Sequence, residues 1–233
     1  MADEDRTRHS PDFAVIFDFD GTILDSETAE FESHRRLFAD WGATLTEDEW
    51  CEGVGILKAE THWFDRLCTR ADHPLSFDRF REFTHRYFQE HVRMEPMPGV
   101  SALLGALIAT SVPRAVASSA PSDWVTRGLE GLNLRTAFDT VVTIDQVARG
   151  KPEPDVYLEA ARRMRIEPAR CVAIEDSGPG LAAARAAGMR TVVIPHTLTR
   201  RHDLSGADLR VASAAELTLD ALRALAVGGR TPA

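Results

Sequence analysis

Two kinds of apolar pattern alternate along most of this chain. From 13 to 19, "FAVIFDF" is almost continuously apolar, which predicts a strand buried on both faces, as in a parallel sheet. Runs of the same kind recur as "PRAVASS" (113–119), "FDTVVTI" (138–144), "CVAIED" (171–176) and "TVVIP" (191–195). Between them lie helical patterns at 100–109, 122–132, 154–164 and 179–187, the last closed by Gly188, a residue suited to the position after a helix end. Strand alternating with helix predicts an α/β fold, a doubly wound (Rossmann-like) parallel sheet whose ligands bind at the carboxyl ends of the strands.

Residues 26 to 95 break that rhythm. No strand pattern occurs there, and three or four helical segments take its place. Phe31, His34, Phe38 and Trp41 share one apolar face, and Gly42 closes that helix. Thr46 to Glu49 has the form of a capping box that opens the next, and a later segment near 77–92 carries Phe80, Phe83, Tyr87 and Phe88. "EPMPGV" at 95–100 turns the chain back. The expected organisation is an α/β core of 12–25 and 96–225, an all-helical cap of 26–95 over its active face, and disordered tails at 1–11 and 226–233.

Composition narrows the function. A net charge of −9 with no basic stripe argues against a nucleic-acid partner, so an anionic substrate needs local compensation. The longest apolar stretch, "VSALLGALIATSV" at 100–112, is too short to span a bilayer and reads as a buried helix. The opening "MADEDRTRHS" lacks the apolar run of a signal peptide. Cys51, Cys68 and Cys171 have no metal-ligand spacing and fit free thiols in a reducing cytoplasm. Of 27 basic residues only Lys58 and Lys151 are lysine. Arginine is a poor substitute where a compact point charge is needed, so both become candidates for a tight site.

Four predicted strands end in unusual polar groups. The first carries Asp18 and Asp20, the second Ser118 and Ser119, the third leads to Gly150 and Lys151, and the fourth ends in Glu175 and Asp176 before "SGPG". Each has an ordinary explanation alone: a solvated loop, a helix cap, a surface lysine, a turn. In a doubly wound fold all four tips meet at one sheet edge, where four carboxylates repel unless a cation neutralises them. An all-oxygen site of this kind suits Mg²⁺ with a substrate phosphate.

With those residues in view, the sequence resembles the haloacid dehalogenase-like hydrolases, in the branch of β-phosphoglucomutase and small-molecule phosphatases. "DFDGT" (18–22), "ASS" (117–119), "GKPEPD" (150–155) and "IEDSGPG" (174–180) are similar to that family's four motifs in order, and the resemblance covers about 12 to 225. It implies Asp18 as the nucleophile that forms an aspartyl-phosphate, and Asp20 as the acid and then the base. It also implies Mg²⁺ on Asp18, the Asp20 carbonyl and Asp176 with help from Glu175, and phosphoryl oxygens held by Ser118, Ser119 and Lys151. Members that dehalogenate lack the second aspartate, so Asp20 turns the expectation toward phosphoryl transfer.

Substrate choice falls to the cap. "EGVGILKAETHWFDRL" (52–67) lies where this branch reads the leaving group, which makes Glu52, Gly55 and Lys58 candidate specificity residues. A β-phosphoglucomutase is expected to carry basic residues around the Gly-Val pair, whereas this chain has Glu52 before it and Ile56 after. Lys58 resembles the Schiff-base lysine of phosphonoacetaldehyde hydrolases, which have a small residue where Asp20 stands. The expectation is a Mg²⁺-dependent phosphatase of a small phosphorylated metabolite such as a phosphosugar, monomeric or a weak homodimer. A mutase, a phosphonate hydrolase and a silent phospho-ligand binder are the alternatives.

Overall fold

In the computed structural model, residues 12–53 and 59–228 are described. The first strand, β1 (Ala14–Phe17), is followed by four helices, α1 (Ser26–Asp40), α2 (Glu47–Gly53), α3 (Ala59–Cys68) and α4 (Phe77–His91). The rest alternates: α5 (Val100–Ala109), β2 (Arg114–Ala117), α6 (Ser122–Gly131), β3 (Thr140–Val142), α7 (Asp155–Met164), β4 (Cys171–Glu175), α8 (Gly178–Ala186), β5 (Arg190–Val193), β6 (Leu209–Arg210) and α9 (Leu219–Val227). The strands form one parallel sheet in the order β3-β2-β1-β4-β5-β6, with Ile16 beside Ala115 of β2 and Ala173 of β4. The sequence order reverses between β1 and β4, the crevice where doubly wound sheets bind ligands.

Strand alternation splits the core in two. Val15 and Phe17 face a layer that includes Leu103, Leu104 and Leu107 of α5, Val125 and Leu129 of α6, and Leu222 of α9. Ala14 and Ile16 face Val156, Tyr157, Ala160 and Ala161 of α7 and Ala183 and Ala184 of α8. The predicted tail begins too early. Helix α9 runs to Val227, because Leu222 and Ala226 complete an apolar face on the first of these layers. Strand β6 also escapes the pattern, being two residues long with an exposed arginine.

The helical insert has its own core, in which Phe31, Leu37, Phe38, Trp41, Trp50, Trp63 and Phe80 are buried together. Trp50 and Trp63 stack with centroids 4.7 Å apart, and the buried His34 ring lies 4.9 Å from Trp50. The capping box forms as the sequence predicts: the Glu49 N–H donates to Thr46 Oγ1 at 3.2 Å, and the Thr46 N–H donates to Glu49 Oε2 at 3.0 Å. The two connections to the α/β layers lie side by side, with Leu24 and Pro96 bridged antiparallel and the Met97 N–H on the Ile23 carbonyl at 2.8 Å. No helix among the described residues is long and apolar enough to cross a membrane.

Candidate active site

Asp18 is the first residue past β1, and its N–H is held by the Ile174 carbonyl of β4 at 2.9 Å. That bond carries the sheet's register one step beyond the strand and sets the Asp18 side chain beside the β4 tip. There Glu175 and Asp176 meet it, and the three carboxylates can each place one oxygen within 4.8 Å of the others. Lys151, in the loop before α7, donates from Nζ to Asp18 Oδ1 and to Glu175 Oε1, the latter at 2.6 Å. The structure therefore brings together Asp18, Lys151, Glu175 and Asp176 from three strand ends.

Glycines make this closeness possible. A Cβ at Gly180, in the first turn of α8, would lie 1.9 Å from Glu175 Oε1, so only glycine lets the helix pass beneath that carboxylate. Gly21 turns the chain out of the sheet with φ +78°, and a Cβ there would lie 2.6 Å from Asp176 Oδ2.

Burial and shared charge decide the electrostatics. Burial, with the carboxylates of Glu175 and Asp20, pushes Asp18 up to about 7 against the pull of Lys151. Burial, with Glu175 and Asp18, raises Asp176 well above the ordinary carboxylate range. Burial opposes the Lys151 charge, yet Asp18 and Glu175 outweigh it and hold the ammonium above its ordinary value. One lysine among three buried acids leaves negative charge in excess, and the oxygen donors fit a hard cation such as Mg²⁺.

Two of the predicted site residues also make structural bonds. Glu175, expected to help hold metal, stands with Asp18 and Asp176 in the group that could hold an ion, and donors also reach both its oxygens. Lys151 and the Tyr157 hydroxyl, at 2.6 Å, take Oε1, while the Ser177 hydroxyl at 3.1 Å and the Asp176 N–H at 3.2 Å take Oε2. It is thus also a buried anchor for Lys151. Ser119, expected to bind phosphate, is exposed; its Oγ accepts the Lys151 backbone N–H at 2.9 Å, which fixes the lysine loop and leaves its own proton free to donate. Ser118 is buried at the β2 tip; its Oγ accepts the Ala120 N–H at 3.0 Å and keeps its own proton to donate.

Asp20 has different surroundings from Asp18. Its Oδ1 accepts from Ser26 Oγ at 2.6 Å and from Trp124 Nε1 at 2.9 Å. Burial raises it above the ordinary aspartate value, while those two donors oppose the rise. Two further acids on α1 belong to this neighbourhood. Burial, then the charges of Glu30, Asp20 and Asp18, holds Glu27 well above its usual range; burial and Asp20 push Glu30 up to about 7.

Of the candidate specificity residues, Glu52 is exposed and lies 3.6 Å from Arg201, while Gly55 and Lys58 lie outside the described residues. Tyr157, Ser26, Trp124, Glu27 and Glu30 escape the sequence reading. Ser26 stands at the first position of the expected cap. For the others the signal is tertiary, since Trp124 meets Asp20 across 104 positions of sequence.

Known proteins share this architecture. The family model described as haloacid dehalogenase-like hydrolase matches residues 15–194. YhcW of Bacillus subtilis is 34% identical over 207 residues, covering 88% of this chain and 94% of that protein. A phosphorylated carbohydrates phosphatase of Thermotoga maritima is 33% identical over 190 residues, covering 79% and 86%. Among solved structures, CbbY from Rhodobacter sphaeroides in complex with phosphate superposes with a TM-score of 0.72 at 29% identity, covering 90% of this chain and 98% of that one. With the motif residues assembled on one sheet edge and the family model spanning most of its length, this chain belongs to the haloacid dehalogenase-like hydrolases.

Proposed function

We propose that the protein is a Mg²⁺-dependent phosphatase that cleaves a small phosphosugar-like monoester through an aspartyl-phosphate on Asp18. The observation that carries this reading is the contrast between two neighbouring carboxylates. Asp18 is clasped by Lys151 beside the β4 acids, and Asp20 is turned onto Ser26 and Trp124. Nucleophile and proton carrier need such separate environments.

In the first step an Asp18 oxygen attacks phosphorus in line, forming an O–P bond as the P–O bond to the leaving group breaks. The departing oxygen takes the proton of the Asp20 carboxyl. Asp20, now ionised, accepts a proton from the water that attacks the phosphoenzyme. The O–P bond to Asp18 breaks, and phosphate leaves. The third Lys151 proton and the Ser118 hydroxyl would hold phosphoryl oxygens, where fixed donors best stabilise the charge of the transition state. Mg²⁺ would be held by the Asp18 and Asp176 carboxylates and the Asp20 carbonyl, and it would neutralise phosphoryl and carboxylate charge.

The helical insert serves as a cap that excludes water from this chemistry. Glu27 and Glu30 add carboxyls that sense the Asp20 charge, groups that hydrogen-bond the hydroxyls of a polyol leaving group more readily than a second phosphate, which favours hydrolysis over a mutase reaction. The names of the relatives, a phosphorylated carbohydrates phosphatase among them, support the same substrate class. The test is phosphate release from a panel of phosphoesters with Mg²⁺. The wild type should turn over sugar or polyol monophosphates, and Asp18→Asn should abolish release. Activity that survives in Asp18→Asn, or release without Mg²⁺, overturns the mechanism.

A further inference from the structure

We infer that Trp124 is a positioning residue for proton transfer. Its indole N–H aims the Asp20 carboxyl, and the helical insert seats the indole. This rests on the phosphatase reading and assigns a task to a side chain that reading does not use.

Asp20 stands beyond the end of β1, so the sheet alone does not orient its side chain. Two donors do so, and both land on Oδ1: the Ser26 hydroxyl at 2.6 Å and the Trp124 indole at 2.9 Å. They come from opposite sides of the junction. Ser26 opens α1 of the insert, and Trp124 lies in α6 of the α/β layers. A carboxyl pinned through one oxygen presents the other, so Oδ2 is the oxygen left to carry the proton to and from substrate.

The indole is itself held from two directions. Phe19, between the two aspartates, meets it edge-on at 6.2 Å, and Phe88 of α4 meets it at 5.1 Å and 67°. Phe19 packs tightly on α6, where a Cβ at Gly128 would lie 2.4 Å from its ring. Phe88 is the contact from the insert. When the insert is seated, Phe88 braces the indole and the indole aims Asp20; when it lifts, that brace is withdrawn. The acid is then fully aimed only with the cap in place, which ties proton transfer to the exclusion of water.

The test exploits the leaving group. An alkyl phosphate needs a proton on its departing oxygen, whereas p-nitrophenolate leaves with little help. Trp124→Phe keeps the ring against Phe19 and Phe88 but deletes the N–H. In the Mg²⁺-loaded enzyme it should lower kcat/KM for a sugar or glycerol phosphate more than for p-nitrophenyl phosphate, changing their ratio about 10- to 100-fold. Phe88→Ala should shift the ratio the same way by less, and Asp20→Asn by at least as much.

Equal losses on both esters in Trp124→Phe would mark a merely structural residue and overturn the inference. So would no change in the ratio while Asp20→Asn still shifts it. An enzyme whose wild type cleaves neither ester would instead overturn the phosphatase reading. A readout free of turnover guards against a misfolded variant. The Trp124 indole ¹H–¹⁵N resonance, assigned by its loss in Trp124→Phe, should move in Asp20→Ala, and a resonance that stays put overturns the hydrogen-bonded arrangement.

Discussion

Gly180 lies so close beneath the Glu175 carboxylate that a Cβ on it would fall 1.9 Å from Oε1. The side chain it supports holds Lys151, and Lys151 holds Asp18. A glycine in a helix is thus coupled to the proposed nucleophile through two buried charges.

Gly180→Ala should therefore damage catalysis even though alanine favours the helix by about 1 kcal/mol. The methyl group must displace Glu175 and with it Lys151, and displacements near 1 Å cost about 10²-fold in rate. Gly105 of α5 is the control, since nothing lies within 4 Å of its added Cβ. Gly105→Ala should raise stability by about 0.5–1 kcal/mol with turnover intact. Steady-state kinetics and urea unfolding of the pair check both halves. Equal activity in Gly180→Ala and wild type would break the proposed coupling from the glycine to Asp18.

The acidity of the insert core can be tested through His34. Its ring is buried among Trp50, Trp63 and Phe80, Nδ1 bonds the Glu30 carbonyl at 2.8 Å, and Nε2 has no partner. Burial lowers its pKa to about 4 although the bond to the Glu30 carbonyl opposes the fall. The unfolded chain takes up this proton below about 6.5 and the folded one only near 4. The stabilisation is complete above the higher value, and about 3 kcal/mol of it is lost as pH falls through that window. Asp18, Glu27, Glu30 and Asp176 respond in the opposite sense, because protonation relieves their burial. The clean measurement is thus the difference between wild type and His34→Leu in urea at pH 7.5 and pH 4. It should move toward the variant by about 3 kcal/mol on acidification, and a difference independent of pH would refute the buried neutral imidazole.

Much of this site was legible because each motif couples a strand end to a residue type the chemistry requires. Asp18, Lys151, Glu175 and Asp176 could be gathered from separate segments once the alternating pattern placed their strands in one sheet. The division of labour among them was less legible. Glu175 and Asp176 are adjacent acids in sequence, and only the Tyr157 hydroxyl and the Ser177 turn reveal that Glu175 is also tied into the surrounding loops. The role of Trp124 was invisible for a related reason: an aromatic on a helix face reads as core until its polar edge is seen to reach a carboxylate, and Phe88 reads only as part of an apolar helix face until its ring is seen against that indole. The sheet edge at β6 was lost because two residues carry no period.

A latch joins the insert to the α/β layers, and salt should weaken it. Leu198, in the loop after β5, is buried in the insert's apolar cluster. Around it Arg200 pairs with Glu47 and with Asp48 at 3.2 Å, and Arg201 with Asp48 at 2.8 Å. In the same loop Thr199 donates to the Asp176 carbonyl at 2.8 Å, and His196 meets Asp25 of the linker at 3.2 Å. The arginine pairs are exposed, so each contributes little and is screened by salt. Arg200→Ala with Arg201→Ala should raise KM about two- to fivefold with kcat nearly unchanged. Raising ionic strength from about 0.05 to about 0.5 M should do the same to wild type and little more to the double variant. Equal salt sensitivity in both proteins would assign the ionic effect to another contact.

Removing negative charge from the β4 tip should stabilise the metal-free protein while disabling it. Burial, Glu175 and Asp18 all disfavour the Asp176 anion, and Lys151 offsets only part of that. Asp176→Asn keeps the shape and deletes the charge. In EDTA the variant should melt higher than wild type, by about 2–4 °C for each kcal/mol of repulsion relieved in a domain of this size. Adding Mg²⁺ should reverse the order. Wild type gains stability in proportion to the logarithm of metal concentration above its Kd, whereas the amide in Asp176→Asn offers only a neutral oxygen that binds Mg²⁺ weakly. Calorimetric melts of both proteins, with EDTA and with a Mg²⁺ series, give four curves whose order is the result. If wild type melts at the same temperature with and without Mg²⁺, these carboxylates hold no Mg²⁺ and the excess charge at the site has another purpose. If Mg²⁺ stabilises both proteins equally, the ion binds elsewhere and Asp176 is not its ligand.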